Sequence, residues 1–127
     1  MTTRTGRPLR QTVLAQHDVR AILQRSEAEF GPAARRRYRG LIERALNALA
    51  ASDRPPGSHT LPELGQAFCG YHLRFARAGQ GARRVRRPRH VIVYRIDDHQ
   101  ILIIRVLHER QLPSRHVSDG ESGDRQA

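Results

Sequence analysis

Apolar positions recur at two different periods along this chain, and the change of period divides it. From Ala34 to Leu49 they fall at steps of three and four: Ala34, Tyr38, Leu41, Ile42, Ala45, Leu46 and Leu49. That spacing lays one continuous stripe along an α-helix. Arg35, Arg36, Arg39, Glu43 and Arg44 occupy the opposite face, and Asp53-Arg54-Pro55-Pro56-Gly57 ends the helix. Upstream, Val19, Ile22, Leu23 and Ser26 share a second helical face, which Phe30 extends. Asp18 is the expected N-cap of that helix. Gly31 breaks it, and Pro32 suits the first turn of the next. Two helices joined by Gly-Pro make a helical hairpin, whose stripes must cover an apolar surface.

The period then drops to two. In YHLRFAR, Tyr71, Leu73 and Phe75 alternate with His72, Arg74 and Ala76, as expected of a strand with one buried face. After the Gly- and Arg-rich linker GQGARRVRRPR comes VIVYRIDDHQILIIRVLHER, two apolar strands about a turn. Leu9 to Leu14 offers a short first strand. The expected order is strand, helix, helix and three strands, the last three as an antiparallel meander. This is an α+β fold, with the helical hairpin packed on one face of a small antiparallel sheet.

Each arm of the closing hairpin carries an arginine, Arg95 and Arg105, so the turn length decides where charge goes. A one-residue slip moves every side chain of a strand to the other face. A two-residue turn at Asp98-His99 puts one arginine on each face, at a cost of several kcal/mol for an unpaired charge driven under the helices. A three-residue turn, Asp97 to His99, puts both on the same face. That register is the one expected. It directs Ile92, Tyr94, Ile96, Leu102, Ile104 and Val106 towards the helices. It leaves Val91, Val93, Ile101 and Ile103 as an open apolar floor set with His72, Arg74, Arg95 and Arg105. Arginines partly desolvated in such a floor bind carboxylate or phosphate more strongly than fully hydrated ones.

Composition sharpens this picture. The chain has 127 residues and a net charge of +11, with 23 basic side chains that are all arginine and no lysine. A chain of this length buries roughly two-thirds of the surface it exposes unfolded, enough for one core. The charge favours anionic partners, nucleic acid or an acidic protein. The single Cys69 excludes an internal disulfide and fits a reducing cytoplasm, where a buried, inert thiol is its first reading. No apolar run is long enough to cross a membrane. The seven histidines show no paired zinc-type spacing, and no metal or other cofactor is expected. The glycines of GQG lack the strand–turn–helix setting of a phosphate loop. Residues 1–8 and 117–127 read as flexible polar tails, leaving residues 9–116 as the single domain.

Two stretches carry a resemblance. FGPAARRRYRGLIERALNALAASDRPPG followed by HVIVYRIDDHQILIIRVLH resembles the second helix and closing hairpin of the RelE/ParE superfamily of toxins from type II toxin–antitoxin systems. The order of elements agrees with that superfamily as well. The resemblance implies a cognate acidic antitoxin as partner and one of two targets. RelE-like members are ribosome-dependent endoribonucleases, which need basic groups and a proton-transfer side chain. Here the candidates are Arg74, Arg105 and His108. ParE-like members are regarded as inhibitors of DNA gyrase, without a nuclease site. The ending VLHERQLPSRHV has no tyrosine, where RelE-like members often carry one, and this favours the ParE branch. His108 reads first as a structural histidine pointing with Val106 towards the core. Target or antitoxin binding then falls to His72, Arg74, Arg95, Arg105, Arg110 and Arg115.

Overall fold

The computed structural model describes residues 7–83 and 85–117. In chain order these form β1 (Leu9–Gln11), α1 (Val13–Phe30), α2 (Pro32–Ala51), β2 (His59–Thr60), β3 (Phe68–His72), β4 (His90–Ile96), β5 (Ile101–His108) and a final turn of helix, α3 (Pro113–His116). Short 3-10 segments cover Pro62–Leu64 and Leu73–Arg83. The sheet runs β1-β5-β4-β3-β2, with β1 parallel to β5 and the other neighbours antiparallel. The fold is therefore α+β, with the helical hairpin on one face of a mixed sheet. Of the expected tails, residues 1–6 and 118–127 lie outside the described residues.

The start of α1 differs from expectation. Thr12, not Asp18, is its N-cap: the Thr12 Oγ1 accepts the Ala15 N–H at 3.0 Å and donates to the Ile104 carbonyl at 2.7 Å. The first strand accordingly ends at Gln11, and Val13 and Leu14 belong to the helix. A fully buried hydroxyl that both caps a helix and joins it to β5 leaves no polar group of its own unpaired. Gly31, with φ +95°, ends α1 and leads directly into Pro32. Tyr38, Leu41, Ile42, Ala45 and Leu49 of α2 are buried as the stripe requires. Phe30 does not extend the α1 stripe; it lies at the helix corner and is 74 % exposed.

The hairpin reaches the expected placement of its arginines by another route. The turn is the two-residue Asp98-His99 connection. Asp97 N–H donates to the Gln100 carbonyl, and Asp97 Oδ1 accepts the His99 and Gln100 N–H groups. Ile96 therefore pairs with Ile101, Arg95 with Leu102 and Tyr94 with Ile103. Continued regularly, this register would turn Arg105 under the helices. A β-bulge intervenes: Ile104 is left without a partner, so Val93 pairs with Arg105 and Ile92 with Val106. Arg95 and Arg105 thus stay on the face away from the helices, while Ile101 and Ile103 join the main core with Ile92, Tyr94 and Val106. The three-residue turn and the faces assigned to Ile101, Leu102, Ile103 and Ile104 are corrected accordingly.

The far face is not an open floor. Val93, Leu102, Ile104 and Leu107 form a second apolar cluster with Leu61, Phe68 and Val117. The cover comes from the chain itself, namely the 3-10 turn at Pro62–Leu64 and the segment after β5. β3 is also shorter at its end and earlier at its start than the alternation implies. Tyr71 and Leu73 are buried in the main core, but the chain enters a 3-10 turn at Leu73, and Phe75 is 42 % exposed. The two-residue β2 was not visible in the pattern and pairs with β3 at Cys69 and Gly70.

Candidate functional site

The polar side chains gather at two places, separated by the sheet. On the helix side of the sheet end, Tyr38, His90 and His108 form a chain. The Arg89 N–H donates to the Tyr38 hydroxyl at 3.0 Å, so the hydroxyl proton goes to His90 Nδ1 at 2.7 Å. His90 then carries its own proton on Nε2. Burial pushes the Tyr38 hydroxyl up to about 12. The His90 ring stacks edge-on against His108, with centroids 5.4 Å apart. Burial first, and then electrostatic repulsion from its neighbours His108, Arg25 and His72, lower the His90 pKa to about 4.

That shift has a stability consequence. An unfolded histidine takes a proton near pH 6.5, whereas folded His90 stays neutral down to about 4. Between those values the unfolded state binds more protons, so stability falls as the pH drops from 6.5 towards 4. The expected loss is on the order of 1–3 kcal/mol. Urea unfolding at pH 7 and pH 5 measures it. In His90→Gln the part of the pH dependence owed to this ring is expected to vanish.

On the far side lies an ion network. His72 Nδ1 accepts the Arg74 N–H at 3.0 Å, which leaves its Nε2–H to donate to Glu109 Oε1 at 2.8 Å. Arg89 Nη1 reaches the other oxygen, Glu109 Oε2, at 3.1 Å. Those two partners hold the Glu109 carboxyl below its usual range, His72 contributing most. Further along β5, Arg105 faces Asp18 of α1 with both Nε (2.8 Å) and Nη2 (3.0 Å), and its Nη1 donates to the His116 carbonyl at 3.0 Å. Asp18 Oδ2 also accepts the Val106 N–H at 2.9 Å. Asp18 thus closes the outer edge of β5 beyond the point where β1 stops.

These contacts place the residues singled out in the sequence. His72 is buried in its bond to Glu109, and Arg105 is committed to Asp18 instead of forming the rim of a floor. Arg95 is half-buried, with its guanidinium carbon 5.9 Å from the centre of the Phe68 ring. Arg74 is exposed and stacks on Phe75 at 4.6 Å. Arg110 and Arg115 are exposed on the segment after β5. His108 lies with Val106 on the helix side, as alternation requires, so Arg105 and His108 project from opposite faces of β5. Arg74, Arg105 and His108 are therefore not assembled at one point. Of the acidic partners that organise both networks, Asp18 is expected only as a helix cap, and nothing in the sequence marks it or Glu109 as the partner of a distant basic side chain. Cys69 is buried, and burial raises its thiol pKa, so little thiolate is present to react.

Among the described residues no helix is long and apolar enough to cross a membrane. No curated protein matches the chain. Residues 9–113 match the family model described as the ParE toxin of type II toxin–antitoxin system, parDE. The match spans β1 to the start of α3, and it takes in the helical hairpin, the sheet and the bulged closing hairpin. With the α+β order of elements and most of the chain in agreement, this protein belongs to the ParE family of toxins from type II toxin–antitoxin systems.

Proposed function

We propose that this toxin acts in the cytoplasm by inhibiting DNA gyrase and that it is held inactive by an acidic antitoxin. Membership of a type II family implies a protein antitoxin as partner. The net charge of +11 favours carboxylates on that partner's side. An amphipathic acidic segment lying beside the helices, its carboxylates on exposed arginines, fits that charge.

The observation that most supports the gyrase reading over the ribonuclease one is the separation of Arg74, Arg105 and His108. A nuclease built on them needs a phosphate clamp and a general acid converging on one phosphodiester. Here the Arg105 guanidinium is spent on Asp18, and His108 projects from the other face of the sheet. The test is a supercoiling assay with purified gyrase and the full chain, with and without the antitoxin encoded beside it. Supercoiling is expected to stop with the toxin and to return on adding the antitoxin. Toeprinting on translating ribosomes provides the opposing outcome. Cleavage within the A-site codon, lost in His108→Gln, would replace the gyrase reading with the ribonuclease one.

A further inference from the structure

The Gly79-Gln80-Gly81 run acquires a purpose once the loop is seen beside α2. The Gln80 side chain works in both directions: its Nε2 donates to the Arg37 carbonyl and its Oε1 accepts the Val85 N–H, both at 3.0 Å. Gly40 lies beside that amide, where a Cβ would make an ordinary contact with Gln80 Nε2 at 3.6 Å. Gly81, at φ +60° and ψ −131°, supplies a backbone turn that side-chain-bearing residues rarely adopt. One glutamine thereby ties Val85, and with it the segment that carries Arg86 and Arg87, to an arginine-rich helix.

The clamp sets two arginine-bearing segments side by side. Arg37, Gly40 and Arg44 lie on one side of α2 at helical spacing, next to the segment that Gln80 anchors, and Arg36 adjoins them. From the loop come Arg86 and Arg87, with Arg77 donating to the Arg86 carbonyl at 2.6 Å. Arg36, Arg37, Arg44, Arg86 and Arg87 are exposed. Among the described residues none of these five side chains has an ion-pair partner, whereas Arg7, Arg35, Arg89 and Arg105 each have one. Five like charges bordered by a single carboxylate repel one another, so the arrangement is favoured by an anion that spans them. Glu43, the one carboxylate of α2, borders the row, two turns on from Arg36 and one turn on from Arg39.

We propose that the Gln80-clamped loop and the adjoining arginine row of α2 form a binding surface for the phosphodiester backbone of duplex DNA. Arg37 and Arg44 are separated by about 10 Å along the helix axis, close to the rise of three nucleotide steps in a duplex. The row carries no aromatic side chain on which unpaired bases would stack, which favours a duplex over a single strand. It also carries no large apolar anchor of the kind a tight protein interface needs. Among the described residues the exposed large hydrophobics are elsewhere: Val13 and Leu14 at the start of α1, Phe30 at the helix corner, Phe75 over Gly57, and Leu112. The inference does not depend on which cellular target the toxin has.

Fluorescence anisotropy of the purified full chain with a labelled 20-base-pair DNA duplex of arbitrary sequence, titrated from 50 to 200 mM NaCl, tests it. With about four phosphates neutralised, binding is expected to weaken roughly 150-fold over that range. Reversing four charges in the row, as R36E/R37E/R86E/R87E, is expected to weaken binding at least 50-fold at 50 mM salt. The control set R10E/R20E/R25E/R110E, with the same change of net charge, is expected to weaken it less than fivefold. Gln80→Ala keeps every charge, so it is expected to lose several-fold in affinity with the salt dependence unchanged. Circular dichroism melts confirm that each variant is folded. Three results would overturn the proposal: no binding at 50 mM salt, equal loss in the two charge-reversal sets, or tighter binding of the single strand than of the duplex. Displacement of the duplex by polyglutamate as readily as by unlabelled duplex would equally overturn it, in favour of an acidic protein as the occupant.

Discussion

Asp18→Ala is expected to lower the unfolding free energy by about 3 kcal/mol, the scale found when one partner of a largely buried ion pair is removed. The side chains concerned are 18 % and 16 % exposed for Arg105 and Asp18, so solvent screens the pair only in part. The loss has two components. Arg105 keeps its charge but loses both bonds to the carboxylate, retaining only the His116 carbonyl. The Val106 N–H on the edge of β5 loses its acceptor as well. An unsatisfied buried donor costs about 1–3 kcal/mol by itself. Asp18→Asn keeps an acceptor oxygen for Val106 and is expected to lose about half as much. The double variant D18A/R105A should be less unstable than the two single losses added together, because neither leaves a stranded partner behind. Urea unfolding with an unchanged m-value measures the wild type, the three single variants and the double variant. A loss below about 0.5 kcal/mol for Asp18→Ala would mean that the pair behaves as an exposed one.

The second large effect is at the bulge. Ile104→Asp is expected to prevent stable folding, with a loss above about 4 kcal/mol, since an unpaired carboxylate would enter an apolar cluster. Ile104 is 1 % exposed, packed in the cluster of Leu61, Phe68, Val93, Leu102, Leu107 and Val117. Had the far face been an open floor for a partner, a charge there would be nearly neutral for the free toxin. The same substitution therefore distinguishes a second core from a docking surface. Ile104→Ala offers a milder version, with a loss of about 2–4 kcal/mol from lost burial and the cavity left behind. Soluble yield and the near-ultraviolet dichroism of the free chain give the first readout, and thermal unfolding of the alanine variant the second.

The helical hairpin was legible in the sequence because both its devices are local. The stripe from Ala34 to Leu49 and the Gly31-Pro32 break each depend on neighbours within one or two turns. The side of the sheet taken by Arg95 and Arg105 was legible for a different reason: charge under the helices is costly in any register. The means was not legible. Nothing at Ile104 marks a bulge, and the Asp97 side chain, by accepting two turn N–H groups, makes a two-residue turn workable without glycine. The end of β3 misled for a similar reason. Tyr71 and Leu73 do point to the core, but the backbone between them and Phe75 winds into a 3-10 turn, which keeps the first two burials and loses the third. The acidic partners of the arginines were hidden because Asp18–Arg105 and His72–Glu109 join residues distant in sequence. The role of Gln80 was hidden likewise: a clamp on a main-chain carbonyl of another element has no spacing to read.

The guarded border of β5 has a further consequence. Ile101–His108 is the longest strand in the sheet and among its most apolar, yet among the described strands only the three residues of β1 stand outside it. Beyond them the border is sealed by single groups, the Thr12 hydroxyl on Ile104 and the Asp18 carboxylate on Val106. A bare β-strand of that composition is a template for stacking with copies of itself. Thr12 and Asp18 both sit within the first two turns of the chain around α1, so fraying of that one helix end would uncover the template. The first few residues of the helix thereby act as the chain's safeguard against fibrillar self-association.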